Sequence, residues 1–224
     1  MRPSRIDILG DGKCFVHLIC RCIDGQHFFK DEIVKIFIYQ LLLFFKELFK
    51  ITVLDYVIMD NHIHLILYVE SRELLSKFMQ MVLSRLAVFI NKRLKRSGRV
   101  FGERPKTPVI QDKKYFINTM LYIADNPIRA GIVEKKKNYK WSGYCHYAYG
   151  KVDPLIDDAE EYLALSRAPA LRRKKYQELG RMKAEQNAKR QPIYTTWFFI
   201  GDHDWIISMM ISRGLRSAKK KPPD

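Results

Sequence analysis

Eight consecutive residues, His62–Val69 (HIHLILYV), form an almost unbroken apolar run. No other stretch limits the fold as much. A run of this length after a turn signal suits a strand buried on both faces, which belongs in the middle of a sheet. Ile51–Met59 (ITVLDYVIM) reads as a second strand, separated from the first by the turn residues Asp60 and Asn61. Upstream, Cys14–Ile23 (CFVHLICRCI) is β-rich and partly alternating. Phe15, His17, Ile19 and Arg21 point one way, and Val16, Leu18, Cys20 and Cys22 the other. Asp24–Gln26 is a turn.

Helices fill the gaps. One is predicted from about Asp31 to Lys50, with Asp31 and Glu32 in the first turn, where the helix dipole favours anions. Its greasy centre, Ile36–Phe45, is only about half a membrane span, and Lys35, Lys46 and Glu47 bound it. It reads as a core helix, with no membrane role. A long helix follows from about Arg72 to Arg96, capped by Ser71. Leu75, Phe78, Met79, Val82, Leu86, Phe89 and Ile90 recur at three- and four-residue steps, as one buried stripe requires. Asp112 caps a third helix, which ends near Asp125 because Pro127 follows. Ala130–Val133 begins a further strand or a turn. After Gly150 the character changes. Residues 1–150 read as one domain and 151–224 as a basic helical C-terminal extension. In it, Lys151–Asp157 (KVDPLID) reads as a linker or surface segment, and Ala170–Arg190 as a basic helix stopped by Pro192. Tyr194–Ile207 reads as a strand and a short helix, and Lys219–Asp224 (KKKPPD) as a frayed tail.

The net charge is +16. Such a field attracts polyanions, either nucleic acid or an anionic membrane surface, and nucleic acid is the better fit. Lys92, Arg93, Arg96 and Arg99 crowd the end of the long helix, followed by Arg104 and Lys106, and Arg172, Arg173, Lys174 and Lys175 form a second cluster. Each cluster suits a phosphate backbone or a solvated face. Tyr139, Trp141, Tyr144 and Tyr147 have two uses open to them, stacking unpaired bases or packing the sheet edge. The four cysteines form no C-x-x-C pair and read as reduced thiols of a cytoplasmic protein. Met1–Gly12 is polar and does not read as a signal peptide.

His62 and His64 stand two apart on a strand, so both rings face one way and Ile63 the other. Two imidazoles on a rigid strand make half of a metal site. The alternative is one core hydrogen bond and one exposed ring. On the helix before Pro127, Tyr122 and Asn126 share a face. They fit a phenol and a carbonyl oxygen beside a cation, or equally a core tyrosine and a helix stop.

Three stretches carry a family resemblance: YVIMDNHIHLIL (56–67), LSKFMQMVLSRLAVFINKRLKRSG (75–98), and the segment from Val100 to Tyr147. The last holds NPIRAGIV, which includes Arg129, and the downstream WSGY at Trp141–Tyr144. In this order they resemble the IS200-like single-tyrosine transposases, most closely the REP-associated tyrosine transposase branch. The resemblance implies an α+β, ferredoxin-like antiparallel sheet with helices packed on one face. It implies Tyr122 as nucleophile and His62, His64 and Asn126 as ligands of Mg²⁺ or Mn²⁺. Imidazoles alone favour softer ions, and Mn²⁺ reconciles the two. It implies cleavage and rejoining of single-stranded DNA beside a hairpin through a 5′-phosphotyrosine, by a monomer or a homodimer. Lys92, Arg93, Arg96, Arg99, Arg104, Lys106, Arg129 and Arg172–Lys175 are the candidate DNA contacts. The competing readings are a non-catalytic DNA-binding protein that keeps the fold and a nuclease in which water attacks. One position departs from the family: Asp60 stands where Pro is usual, adding a charge expected to lie near the metal.

Overall fold

The structure, a computed structural model, describes residues 8–10 and 13–215. The KKKPPD tail and most of the polar Met1–Gly12 stretch lie outside the described residues. The first six elements run β-α-β-β-α-β: β1 (Cys14–Arg21), α1 (Glu32–Phe49), β2 (Thr52–Ile58), β3 (His62–Val69), α2 (Arg72–Arg93) and β4 (Val109–Ile110). Next come α3 (Lys113–Ala124), α4 (Asn126–Arg129), α5 (Tyr144–Tyr149) and α6 (Glu160–Leu163). The chain closes with α7 (Pro169–Met182), α8 (Ala184–Asn187), α9 (Pro192–Thr195), β5 (Phe199–Ile200) and α10 (His203–Ser212). The strands lie in the order β2-β3-β1-β4-β5, so β3 is an interior strand paired on both sides, beside the central β1.

Two expectations are corrected here. The sheet is mixed rather than antiparallel, because β5 joins β4 in parallel while the other pairs are antiparallel. Helices also cover both faces rather than one. Leu18, Cys20, Ile63 and Leu65 meet Leu42 of α1 and Phe78 and Met79 of α2 on one side. On the other side Phe15 meets Phe116 of α3 edge-on, ring centroids 5.1 Å apart. A strand buried on both faces needs both layers.

Ser71 and Asp112 cap their helices as expected, and Asp31, expected inside the first turn, is itself the cap. Asp31 accepts from the Ile33 N–H at 2.9 Å, Ser71 from Leu74 and Asp112 from Tyr115, each supplying an acceptor to an orphan helix donor. Ala130–Val133 forms a turn, not a strand. The predicted Ala170–Arg190 helix breaks after Met182, and Pro192 opens a short helix, where its missing N–H costs nothing.

Lys151–Asp157 is not a loose linker. Leu155 is fully buried, and Asp157 both donates its N–H to the Val53 carbonyl at 2.7 Å and accepts from the Val53 N–H at 2.9 Å. Asp153 accepts from the hydroxyls of Tyr39 and Tyr56 at 2.7 and 2.8 Å. The segment thereby covers the free edge of β2, which would otherwise offer unpaired groups to another chain. The aromatic cluster after residue 138 packs rather than stacks on ligands: Tyr139, Tyr144 and Tyr147 are buried, and Tyr147 donates to the Leu54 carbonyl. Trp141, partly buried, donates to Glu32 at 3.1 Å.

A register shift in β2 between Val53 and Asp55 turns the Asp55 carboxyl into the interior. Its Oδ1 accepts the Tyr56 N–H at 2.8 Å, and its Oδ2 has no partner. Gly143 lies against it; a Cβ there would collide with the carboxyl and with Ile156. Burial pushes the Asp55 pKa well above the usual carboxylate range, and the nearby Asp153 adds to the push. Above the unfolded value of about 4, the folded state therefore holds a proton that the unfolded chain releases, and this group makes stability fall as pH rises. Asp55→Asn cannot titrate. Its stability relative to wild type should shift in its favour between pH 4 and pH 7, by up to about 1.4 kcal/mol per pH unit. Urea unfolding at the two pH values reads the shift, and an unchanged difference would contradict it.

Candidate active site

The sheet register places the histidines. In the β1–β3 pairing His62 sits opposite Arg21 and His64 opposite Ile19. The rings of His62 and His64 lie side by side with centroids 4.8 Å apart, His64 buried and His62 half-buried. His62 Nδ1 is 2.5 Å from Asn61 Oδ1. A third imidazole joins them. His17, fully buried, stacks on His64 at 4.9 Å, and its Nε2 lies 2.7 Å from His64 Nδ1. Alternation along β1 puts His17 on the Arg21 face, but only the register, which one sequence does not reveal, brings it to His64. Burial lowers His62 to about 3, helped by Arg21, Arg129 and Arg190, and lowers His64 well below the ordinary value. Both rings are thus neutral at pH 7 and able to offer lone pairs.

Tyr122 lies near the end of α3 and is 1% exposed. The Arg129 guanidinium is 4.3 Å from its ring centroid, and the Tyr194 ring stacks on it at 4.2 Å. Burial raises the phenol pKa, while Arg129, the Gln191 backbone, Arg190 and Arg21 pull it back down. The same three arginines act on His62. Imidazole pair and phenol therefore face one positive field.

Asn126 is held on both sides. Its Nδ2 donates to the Ile123 carbonyl at 3.0 Å, and its Oδ1 accepts from Arg129 at 2.6 Å. Arg129 also donates to the Asn187 carbonyl of α8 at 2.7 Å, and Asn187 donates to Asp125 at 2.9 Å. The C-terminal extension thus sets the pose of Arg129 over Tyr122. Sequence reasoning missed Arg190, Asn187 and Tyr194 in this role, since nothing in a basic helix marks which of its residues folds back on the sheet.

A cavity of about 390 Å³ is lined by Arg21, which sits opposite His62 in the register, with Arg104, Lys106 and Arg190, and with Asp24 and Glu103 at its wall; neither the histidines nor Tyr122 line it. Of the predicted DNA contacts, Arg104, Lys106 and Arg129 gather here or over the tyrosine. Lys92, Arg93, Arg96 and Arg99 lie at the end of α2 and its loop. There Arg93 pairs with Asp31 at 2.6 Å, Arg96 covers the Phe28 ring at 4.5 Å, and Arg99 donates to the Gly102 carbonyl at 2.7 Å. The α7 cluster is apart from both. Arg172 donates to the Ser166 carbonyl at 3.2 Å and Lys175 to Leu165 at 2.8 Å, Arg173 packs on Gly150, and Lys174 is exposed. The Asp60 carboxylate pairs with Lys35 Nζ at 2.6 Å.

Residues 12–122 match the family described as "Transposase IS200 like". The chain belongs to the IS200-like transposase family. The matched stretch contains His17, His62 and His64 and ends on Tyr122, so the transposase family's profile stops short of Asn126 and Arg129. Among solved structures, a REP-associated tyrosine transposase bound to a REP hairpin is similar to this chain, with a TM-score of 0.52 and 12% identity. The match covers 66% of this chain and 87% of that one. At that identity it establishes a shared fold. No curated protein matches the chain.

Proposed function

We propose that this IS200-like chain cleaves and rejoins single-stranded DNA next to a hairpin, with Tyr122 as nucleophile. The observation that carries this reading is geometric: the His62 and His64 rings lie side by side on one face of β3, centroids 4.8 Å apart, and the Arg129 guanidinium lies 4.3 Å from the Tyr122 ring centroid. Burial disfavours the Tyr122 phenolate and the arginines partly offset that. The similar structure bound to a REP hairpin supports a folded DNA substrate.

On this reading His62, His64 and Asn126 would hold a divalent cation. His62 and His64 are neutral neighbours on one strand face, and Asn126 adds a carbonyl oxygen once Arg129 releases it. Two nitrogens and one hard oxygen suit Mn²⁺, or Mg²⁺ with several waters. When bound there, such an ion would supply positive charge to a non-bridging phosphate oxygen. The protein's own groups do the rest. Arg21, Arg104, Lys106 and Arg190 hold the strand's phosphates in the cavity they line. Tyr122 Oη forms a bond to phosphorus in line with the breaking P–O3′ bond. Its proton leaves to solvent, and the 3′ oxygen takes one up. Arg129 stabilises the phenolate as it forms. The 5′-phosphotyrosine keeps the bond energy, so a 3′-OH rejoins the strand by the reverse step without ATP.

The test uses labelled hairpin DNA with a single-stranded flank and the full chain. A denaturing gel should show a DNA–protein adduct in Mn²⁺ that disappears with chelator and returns when Mn²⁺ is restored. Cleavage without adduct would favour a water nuclease. Binding without cleavage in every cation would favour a passive DNA-binding protein.

A further inference from the structure

A second cavity adjoins the first. It holds about 220 Å³, is walled by Thr107, Pro108, Thr196, Trp197 and Phe198, and shares Glu103 and Lys106 with the 390 Å³ cavity. The two therefore form one trough. Backbone bonds fix its walls. Lys106 exchanges N–H and carbonyl with Ile19 of β1, each at 2.9 Å, and the Val109 N–H donates to the Phe198 carbonyl at 2.9 Å. Lys106 Nζ donates to the Thr195 carbonyl at 2.9 Å and ties one wall to the other.

The chemistry changes along the trough. Arg21, Arg104, Arg190 and the shared Lys106 line the first part. The second part adds no further cation; beyond the two shared residues it offers a proline, two threonines and two aromatic residues. The local sequence explains the aromatic wall. Alternation at the start of β5 sends Phe199 into the core, where it is fully buried, and leaves Phe198 half-buried on the cavity side. Cations beside an aromatic wall match one nucleotide of a single strand, because its phosphate needs positive charge and its unpaired base needs a ring to stack on. A paired base stays stacked on its neighbours and presents no free face, so duplex DNA does not use such a wall.

We propose that the second cavity is a base-binding subsite. It takes one unpaired nucleobase of the single-stranded flank against Phe198, with the adjoining phosphate on the cations of the first cavity. The inference rests on the single-stranded DNA substrate proposed above and gives one of its bases a place. Every base has a π-face, so the subsite demands a base without demanding one sequence. Phe198 lies beyond residues 12–122, the stretch that matches the family, so the subsite is supplied by the C-terminal extension.

Binding in the presence of chelator separates seating of the base from cleavage. The probe is a DNA hairpin with a single-stranded flank, and its affinity for the full chain is read by fluorescence anisotropy. Removing the base at one flank position should weaken wild-type binding about 5- to 150-fold, the worth of one base on an aromatic ring. Phe198→Ala should weaken binding of the intact flank by a similar factor and lose the response to that abasic position, while Phe198→Tyr keeps both. A hairpin without the flank should bind Phe198→Ala and wild type equally, which also shows that the variant is folded. A Phe198→Ala chain that binds the intact flank as wild type does, or that still responds to the abasic position, would overturn the subsite. In the wild-type chain, a flank carrying iodouracil at that position should photocrosslink to Trp197 or Phe198. Crosslinks confined to other elements would overturn the subsite without any substitution, as would wild-type binding that is indifferent to every abasic position. The cleavage reading fails separately: a missing Tyr122 adduct with the base effect intact removes the reaction and leaves the subsite.

Discussion

Tyr122→Phe should remove the covalent adduct and lower strand cleavage by at least about 10⁴-fold, the scale on which enzymes lose rate when a nucleophile is deleted. Hairpin affinity should stay at the wild-type level, because the ring that Arg129 and Tyr194 contact is still there. The stacking makes a second variant informative. Tyr194 offers a phenol beside Tyr122, but its burial and the neighbouring Tyr122 push its pKa above the ordinary value, with no arginine acting to lower it. Tyr194→Phe should therefore still form the adduct. An adduct that survives in Tyr122→Phe and vanishes in Tyr194→Phe would reassign the nucleophile, and cleavage that survives both would point to water.

The largest stability loss is expected at the departure from the family pattern, Asp60. Lys35 Nζ lies 2.6 Å from Asp60 Oδ1, and the two side chains are only 7% and 18% exposed. Lys35 also reaches the Tyr139 hydroxyl at 3.3 Å, and that hydroxyl donates to the Ile58 carbonyl at 2.5 Å. The pair ties α1 to the turn that delivers His62. Asp60→Ala strands a buried ammonium and should cost about 3–5 kcal/mol. Lys35→Met combined with Asp60→Ala removes both charges and should recover most of that loss. Urea unfolding of the two variants distinguishes this account from a loss of turn geometry, in which case the double variant would be as unstable as the single one.

Much of the frame was legible because it depends on local periodicity. His62–Val69 is a strand with the bounds its apolar run predicts, and Ser71 and Asp112 cap the helices assigned to them. What stayed hidden depends on long-range pairing. β4 and β5 are two residues each, too short for any alternation to register. The second helical layer was missed because Phe116 looks like any amphipathic-helix residue until Phe15 is placed against it. At the site, His62 and His64 are visible from their spacing, whereas His17 needs the β1–β3 register. Tyr194 and Asn187 need the path of a chain that returns from far downstream. The pairing of Asp60 stayed hidden for the same reason: its partner Lys35 lies on another element.

The parallel pairing of β4 with β5 also bears on how the protein matures. The imidazoles and the phenol emerge from the ribosome long before Tyr194 and residues 199–200. Until those arrive, Tyr122 lacks its aromatic cover and the sheet lacks its last strand. A nascent chain halted near Gly150 would hold His62, His64 and Tyr122 without the downstream residues that cover and align them, so this arrangement is completed late in synthesis.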